Sequence, residues 1–291
     1  MSAPGFREND LIQIALQEDL GASGDVTSRA FIPIGSKSEG RIVARSSCIV
    51  AGLSVAREVF QRVDPQLVIT MGCSEGDCLA QGGILMTVSG STRSILSAER
   101  TALNFLGRLC GIATLSSQYA SVVSDLKVQL LDTRKTTPGW RRLEKEAVKS
   151  GGCVNHRMGL DDAVLVKDNH LAALGDLGLL PSAINRIRAE NPGMTIEIEA
   201  DTLEQLDRLL RMPGIDVILL DNMTPEMMRS AVDLRSRIAP GVLLEASGGV
   251  TLESLRSIAG TGVERISVGA LTHSVTNSDL SLDLITADHA G

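Results

Sequence analysis

Polar side chains follow six short apolar segments in the second half of the chain, at the point where each segment ends. The segments read LLDTRK, VLVKDN, IEIEAD, ILLDN, LLEASGG and ISVGAL, and helical patterns separate most of them. Strands that alternate with helices run parallel, and active sites of α/β barrels and open α/β sheets lie at their carboxyl ends. We therefore expect these polar residues to form one site.

Cationic side chains are concentrated around the first two of these ends, although the formal net charge of the chain is −7. Arg134, Lys135 and Lys167 follow strands, and His156 and Arg157 lie between them. Arginine grips a carboxylate or phosphate at two points, whereas lysine supplies a point charge. Convergence of these cations at the rim predicts a ligand with several negative charges; the alternative is a solvated charged face.

Carboxylates and glycines at the other strand ends predict a phosphorylated ligand and a metal ion. Glu199 and Asp221 offer oxygen ligands suited to Mg²⁺ or to ribose hydroxyls. Glu197 lies on the same strand face as Glu199, so both should point inward unless the strand is shifted and both face solvent. The segment 247–249 (Ser-Gly-Gly) precedes a helix that begins near Thr251, and backbone N–H groups in such a turn can bind phosphate.

The spacing of the apolar residues predicts two architectures. From residue 127 onward, nearly continuous apolar strands favour a closed or nearly closed α/β barrel, with an open doubly wound sheet as the alternative. Earlier strands at 41–45, 48–52, 67–71 and 84–88, with a helix at 55–63, show no regular alternation and predict an α+β domain. The predicted N-caps of three later helices are Thr202, Thr224 and Thr251.

Composition excludes several classes of protein. An acidic chain with six aromatic residues is unsuited to nucleic acid, and no apolar run is long enough for a membrane helix. The five cysteines are scattered without a CxxC pair, so we expect small core residues rather than a zinc site or disulfides. With no visible secretory signal, we expect a soluble cytoplasmic protein.

Two blocks of sequence carry a specific resemblance: LLDTRKTTPGWRRLEKEAVKSGG and NHRMGLDDAVLVKDNHL. They are similar to quinolinate phosphoribosyltransferases, also called carboxylating nicotinate-nucleotide diphosphorylases. The segments EDLGASGDVTS, AERTALNFLGRLCGIAT, EIEADTLEQL, ILLDNMTPE, LLEASGGV and ISVGALTHS agree in order and span nearly the whole chain.

The resemblance implies a reaction and a fold. Quinolinate and 5-phosphoribosyl 1-diphosphate would give nicotinate mononucleotide, diphosphate and CO₂, with Mg²⁺ as cofactor. The implied fold is α/β, an incomplete α/β barrel of parallel strands at 113–274 with an N-terminal α/β sandwich domain at 1–112. Residues 275–291 would return to the first domain. The family forms dimers or higher oligomers with shared active sites.

The same resemblance assigns residues. The implied quinolinate pocket consists of Arg134, His156, Arg157 and Lys167, with Arg100 contributed by the partner subunit. The implied phosphoribosyl diphosphate side consists of Lys135, Asp168, Ser247, Gly248, Gly249, Gly269 and His273. The implied catalytic residues are Lys135, Glu199 and Asp221, of which the two acids would also bind the metal.

Two alternatives remain open from the sequence. One is a paralogue with the same barrel that acts on another heteroaromatic acid or base. The other is a non-catalytic binding protein that has kept the phosphate site. Release of CO₂ from quinolinate distinguishes the expected enzyme from both.

Overall fold

The computed structural model describes residues 8–285. The helices in this range are α1 (Glu8–Leu20), α2 (Val26–Phe31), α3 (Leu53–Val63), α4 (Thr92–Val122), α5 (Arg141–Ser150), α6 (Asp168–Leu174), α7 (Leu180–Glu190), α8 (Leu203–Leu210), α9 (Pro225–Ile238), α10 (Leu252–Ala259) and α11 (Ala270–His273). The strands are β1 (Lys37–Ala44), β2 (Cys48–Ile49), β3 (Val68–Met71), β4 (Cys78–Leu79), β5 (Ile84–Ser91), β6 (Gln129–Leu131), β7 (Val164–Val166), β8 (Ile196–Ala200), β9 (Val217–Asp221), β10 (Leu243–Ser247), β11 (Arg265–Ser267) and β12 (Leu280–Ile285).

Internal contacts divide the described residues into two compact units. The first unit comprises 8–117, Thr136–Gly152 and 274–285, and the second comprises Gln118–Lys135 and Cys153–His273. The segment that contains α5 therefore groups with the first unit, although it lies inside the range predicted for the barrel domain. The division of the chain at residues 112 and 274 stays a prediction.

The sheet of the first unit is antiparallel, with the strand order β12-β1-β5-β3. Beside it, β2 pairs with β4, and α3 buries Leu53, Val59 and Phe60 on one face. This mixture of short strands and helices matches the predicted α+β character. β12 pairs with β1 and so returns the chain to this sheet. Residues 1–7 and 286–291 of the predicted domain lie outside the described residues.

The second unit contains a parallel sheet with the order β6-β11-β10-β9-β8-β7. From β7 to β11 each strand lies beside its predecessor in the same direction, so the order never reverses as it does in a doubly wound sheet. β6, the first strand, lies beside the last, and Val154 extends the sheet through a parallel bridge to Leu131. Among residues 8–285 no ladder joins Val154 to β7, so the barrel is incomplete, as predicted.

Helix caps hold the strand ends at the carboxyl edge of this sheet. At α8, α9 and α10 the capping hydroxyl accepts a backbone N–H three residues further along the helix. The three capping residues are the predicted Thr202, Thr224 and Thr251. Each loop from strand to helix is therefore short, and the strand-end residues have defined positions.

Two further expectations concern membranes and cysteines. None of the helices between residues 8 and 285 has the length and apolar character needed to cross a bilayer. All five cysteines are free thiols, and Cys48, Cys110 and Cys153 are buried as expected for core residues. Cys78 differs from the expectation, because β4 leaves its side chain exposed.

Glu144 supplies a prediction for the loop that leads from β6 to α5. It is fully buried and accepts hydrogen bonds from Arg108 Nη2 (2.9 Å) and Thr137 Oγ1 (2.8 Å). Glu144→Ala removes this shared acceptor and should lower the free energy of unfolding by about 3–5 kcal/mol. The matched control is Glu146→Ala, because the exposed pair of Glu146 with Lys149 contributes about 1 kcal/mol or less. Urea unfolding midpoints that are the same for both variants would contradict this role.

Candidate active site

Acidic side chains line one face of the parallel sheet. Glu197 and Glu199 alternate along β8 with buried isoleucines and are themselves only 1% and 5% exposed. Across the register, Glu199 lies level with Leu219, Leu219 with Glu245, and Glu245 with Arg265. Residues that are level in neighbouring strands point to the same face. Both glutamates of β8 are therefore interior, and the shifted strand with solvent-facing glutamates is excluded.

His156 lies between two of these buried carboxylates. Its Nε2 is 3.1 Å from Glu197 Oε2 and 3.3 Å from Glu245 Oε1. Arg265 Nε donates to the other oxygen of Glu245 at 2.7 Å. The two carboxylates thus share the histidine, and Arg265 offsets only one of the two negative charges.

The charge of His156 follows from this balance. Burial opposes the imidazolium, but the hydrogen bonds and charges of Glu197 and Glu245 outweigh it and raise the pKa of His156 to about 9. In the neutral form the proton lies on Nε2, because Nδ1 accepts the backbone N–H of Arg157 at 2.8 Å. Protonation places a hydrogen on Nδ1 and so removes the acceptor of that hydrogen bond. The attraction between the imidazolium and the two carboxylates outweighs the loss of that hydrogen bond, because neutral His156 would leave two buried carboxylates with Arg265 as their one cationic partner in this cluster.

Arg134 and Arg157 form the cationic part of the site. The Nε atom of Arg134 is buried and has no hydrogen-bond partner in the part of the chain that the structure describes. Burial lowers the pKa of Arg157, and the positive charge of Arg134 lowers it further. Arg157 Nη1 donates to the carbonyl of Ala163 at 2.9 Å, which fixes its direction. Two guanidinium groups that repel each other, one with an unpaired buried donor, favour an anion between them.

Lys167 lies with the acids in this structure. Its Nζ is 3.0 Å from Glu199 Oε2. Burial and the charge of Glu199 raise the pKa of Asp221, and the charge of Lys167 offsets this rise only in part. The side chain is 50% exposed, so this ion pair is a weak restraint on its position. The structure therefore joins Lys167 to a predicted metal ligand. Its predicted role in the quinolinate pocket stays a prediction.

Three carboxylates meet at the carboxyl ends of β8 and β9. One oxygen each of Glu199, Asp201 and Asp221 lies within 4.8 Å of the others. Burial and the charge of Glu199 raise the pKa values of Asp201 and Asp221, and the charge of Asp168 adds to the effect on Asp201. Repulsion among close carboxylates is relieved by a cation, and three carboxylate oxygens fit the preference of Mg²⁺. These residues therefore suit a divalent metal.

The glycine-rich side of the rim brings three predicted residues together. A β-carbon at Gly269 would lie 3.0 Å from His273 Nε2 and 3.1 Å from Lys135 Cδ. The hydroxyl of the buried Thr272 donates to the carbonyl of Lys135 at 2.8 Å. After β10, Gly248 and Gly249 both have positive φ angles, of 103° and 55°. Their backbones adopt a turn that favours glycine.

Arg100 belongs to the first unit, unlike the other predicted site residues. It is exposed on α4 beside Glu99, whose pKa is raised by burial and lowered by the charge of Arg100. The remaining predicted residues all belong to the second unit.

Sequence reasoning assigned no role to four contributors: Asp201 and Asn222, which it placed only among the polar strand ends, Thr272, and the pairing of Glu245 with Arg265. Asp201 follows Glu199 with the same alternation as Glu197, so the strand pattern contained a signal for it. The pairing of Glu245 with Arg265 depends on strand order, the Thr272 hydroxyl donates to a distant backbone carbonyl, and a left-handed backbone directs the side chain of Asn222. No local pattern indicates these contacts.

The fold and the site together define a class of protein. Half-buried cations, a glycine-rich turn and the acidic group of Glu199, Asp201 and Asp221 lie at the carboxyl edge of an incomplete α/β barrel. This is the arrangement of an enzyme for phosphorylated, multiply anionic ligands. The family model for the C-terminal domain of quinolinate phosphoribosyl transferase matches residues 112–283, and the model for its N-terminal domain matches residues 25–110. The chain belongs to the quinolinate phosphoribosyltransferase family.

Individual relatives agree with the family match. The chain is 44% identical over 278 residues to nicotinate-nucleotide pyrophosphorylase (carboxylating) of Mycobacterium leprae, covering 94% of this chain and 96% of that protein. It is 41% identical over 298 residues to quinolinate phosphoribosyltransferase (decarboxylating) 1 of Nicotiana glauca, covering 97% and 84%. The crystal structure of NadC from Streptococcus pyogenes has a TM-score of 0.89 at 34% identity, covering 99% of this chain and all of that chain. The predicted family and fold class are confirmed.

The raised pKa of His156 gives a prediction on pH dependence. A group whose pKa is raised on folding stabilises the protein below its unfolded pKa of about 6.5, and this contribution is lost as the pH rises through about 9. The free energy of unfolding should therefore fall over this range, by at most roughly 3 kcal/mol. His156→Asn should remove that part of the pH dependence.

The direct measurement is the NMR titration of the His156 imidazole. The midpoint should lie well above 6.5, and Glu245→Gln should lower it, because one of the two carboxylates that favour the imidazolium is then neutral. A midpoint at or below 6.5 in the unmodified protein would show that the backbone N–H of Arg157, rather than the carboxylates, decides the charge.

Proposed function

We propose that the carboxyl edge of the parallel sheet is the active site of a decarboxylating quinolinate phosphoribosyltransferase. The enzyme transfers the phosphoribosyl group of 5-phosphoribosyl 1-diphosphate to quinolinate and gives nicotinate mononucleotide, diphosphate and CO₂ for NAD biosynthesis. The observation that carries the proposal is the pair Arg134 and Arg157, whose mutual repulsion and buried unpaired donor favour a carboxylate ligand, in a chain of this family.

The proposed quinolinate pocket joins Arg134, His156, Arg157 and Lys167, with Arg100 from a partner subunit. Quinolinate is a dianion, and its co-substrate carries a phosphate and a diphosphate. Two such anions repel each other, so the site must neutralise both before their reacting atoms can approach. His156 and Arg157, which follow Val154, suit quinolinate. Lys135 and the glycine turns suit the phosphoribosyl diphosphate.

The proposed phosphoribosyl diphosphate side consists of Lys135, Asp168, Ser247, Gly248, Gly249, Gly269 and His273. Turns with exposed backbone N–H groups bind phosphate oxygens, and Lys135 lies beside Gly269 and His273 to add a charge. Glu199 and Asp221, together with Asp201, are the proposed ligands of Mg²⁺. When bound, the metal would neutralise the diphosphate leaving group.

The chemistry needs positioning rather than a covalent intermediate. As the bond from the ribosyl carbon to the diphosphate oxygen breaks, positive charge develops on the ribose, much as in glycoside cleavage. Glu199 and Asp221 would stabilise this charge. The pyridine nitrogen forms the new bond to the ribosyl carbon and becomes a pyridinium. The adjacent carboxylate then leaves as CO₂, the pyridinium stabilises the remaining electron pair, and a proton from solvent completes the product.

Two alternatives remain, a paralogue for another heteroaromatic acid or base and a non-catalytic phosphate-binding protein. The relatives at 44% and 41% identity carry names for the quinolinate reaction or its product, which favours the enzyme over the paralogue. Retention of the acidic group beside the cations favours catalysis over binding alone.

We also propose a homodimer, or a higher oligomer, with shared sites in a reducing cytoplasm. Arg100 lies on a helix of the first unit, whereas its proposed companions all belong to the second unit. A two-fold dimer would let each protomer supply Arg100 to its partner. The five free thiols support a reducing compartment.

The reaction is tested with purified protein, 5-phosphoribosyl 1-diphosphate, Mg²⁺ and quinolinate that is labelled in the carboxylate next to the ring nitrogen. Labelled CO₂ and nicotinate mononucleotide should appear together. Nicotinate lacks one carboxylate, and loss of a buried ion pair costs about 2–5 kcal/mol, so its turnover should be roughly 30- to 5,000-fold lower. Comparable turnover of the two acids, or nucleotide formation without CO₂, would contradict the proposed substrate.

The shared site is tested by mixing two inactive variants, Arg100→Ala and Lys167→Ala. When equal amounts of the two variants are refolded together, about half of the dimers should contain one subunit of each variant. Each mixed dimer has one intact and one doubly defective site, so about a quarter of all sites should recover. Refolding each variant alone is the control. Mixed dimers that are proven by mass spectrometry but remain inactive would show that both residues serve the same subunit's site.

A further inference from the structure

Asn222 follows Asp221 at the end of β9 and has an unusual backbone. Its φ is 53°, and it is the only residue other than glycine with a positive φ among residues 8–285. Left-handed backbone is unfavourable for most side chains, although asparagine tolerates it better than the others. Such a conformation persists where surrounding interactions hold it, and it is often found at functional sites.

Two hydrogen bonds hold Asn222 in this conformation. Its backbone N–H donates to the carbonyl of Ser247 at 3.0 Å, and this bond joins the ends of β9 and β10. Its side-chain Nδ2 donates to Asp221 Oδ2 at 2.6 Å. The amide thus restrains the carboxylate that shares the acidic group with Glu199 and Asp201.

Gly248 makes room for the same side chain. A β-carbon at Gly248 would lie 2.2 Å from Asn222 Oδ1 and 2.7 Å from its Cγ, distances that no real contact allows. The amide of Asn222 therefore packs directly against the backbone of the glycine-rich turn. The Nδ2 end of this amide contacts Asp221 of the acidic group, and its Oδ1 end contacts the turn proposed to bind phosphate.

We propose that Asn222 is a positioning residue that fixes the Asp221 carboxylate and the Ser247–Gly249 turn relative to each other. It acts through its neighbours and need not touch substrate. The inference rests on the proposed role of Asp221 in metal binding. Its consequence is that binding of the metal and binding of the phosphoribosyl diphosphate depend on one asparagine that need not contact either ligand.

Asn222→Gly is the informative substitution. Glycine keeps the left-handed backbone without strain and removes only the amide, so the unfolding midpoint should stay close to that of the unmodified protein. Asn191→Gly is the matched control, because Asn191 is exposed at the end of α7, which precedes β8 and so lies toward the opposite edge of the sheet.

Calorimetric titration measures the effect without turnover. The probe is 5-phosphoribosyl 1-diphosphate with Mg²⁺, and quinolinate alone reports on the other pocket. Asn222→Gly should weaken binding of 5-phosphoribosyl 1-diphosphate with Mg²⁺ at least tenfold and leave quinolinate binding within twofold, whereas Asn191→Gly should change neither. In steady-state assays, kcat should fall with little change in the KM for quinolinate.

Asp221→Asn separates the inference from the proposed function. If Asp221→Asn weakens binding of 5-phosphoribosyl 1-diphosphate with Mg²⁺ and Asn222→Gly does not, the positioning role of Asn222 is wrong and the metal-binding role of Asp221 stands. If neither variant weakens binding, the proposed metal role of Asp221 fails and the inference fails with it.

The packing against Gly248 is tested by a double-mutant cycle. With Asn222 present, Gly248→Ala should weaken binding of 5-phosphoribosyl 1-diphosphate, because its β-carbon meets the amide of Asn222 and its φ of 103° is unfavourable for alanine. In the Asn222→Gly background the backbone strain remains but the 2.2 Å contact no longer exists, so the same substitution should cost several-fold less. Equal losses in the two backgrounds would show that the turn and the asparagine are independent.

Discussion

Compensation of buried charge is the constraint on which the interior of the second unit depends. Two glutamates of β8 and one of β10 are almost fully buried, and a barrel interior is otherwise packed with branched apolar side chains. Each carboxylate has a cation within hydrogen-bond distance: His156 for Glu197, Lys167 for Glu199 and Arg265 for Glu245. Removal of a cationic partner would leave buried negative charge in excess, which is more costly than the pair is stabilising.

This constraint separates two functions at one edge of the sheet. The charges of Glu197 and Glu245 are compensated by His156 and Arg265, so these two carboxylates hold His156 in place. Glu199 is paired only with the half-exposed Lys167 and lies close to Asp201 and Asp221, so negative charge there remains in excess. Two glutamates on the same face of one strand therefore differ in how far their charge is compensated. Alternation along β8 places both on that face, and the difference between them comes from their partners.

The sequence alone predicted the strands, the polar carboxyl edge and the pair of interior glutamates, because each depends on local alternation. It did not predict which cation meets which acid. Lys167 was grouped with the arginines by charge, and only the register of β7 beside β8 places it next to Glu199. The contributions of Asn222 and Thr272 could not be predicted for a different reason. Asn222 contributes through its left-handed backbone, and Thr272 through a hydrogen bond from its hydroxyl to a backbone carbonyl. Neither leaves a pattern in the order of residue types.

Asp132 holds together the two segments that carry the cations of the site, one with Arg134 and the other with His156 and Arg157. Asp132 is fully buried at the end of β6, and its Oδ1 accepts the backbone N–H of His156 at 2.8 Å. Its own backbone N–H donates to the carbonyl of Val154, so the segment that leads from β6 to Arg134 is tied to the segment that continues to Arg157. The chain between these points includes α5, which groups with the other unit. The approach of the two arginines is thus fixed by short-range hydrogen bonds at the sheet edge, and the intervening segment can be long without loosening the pocket.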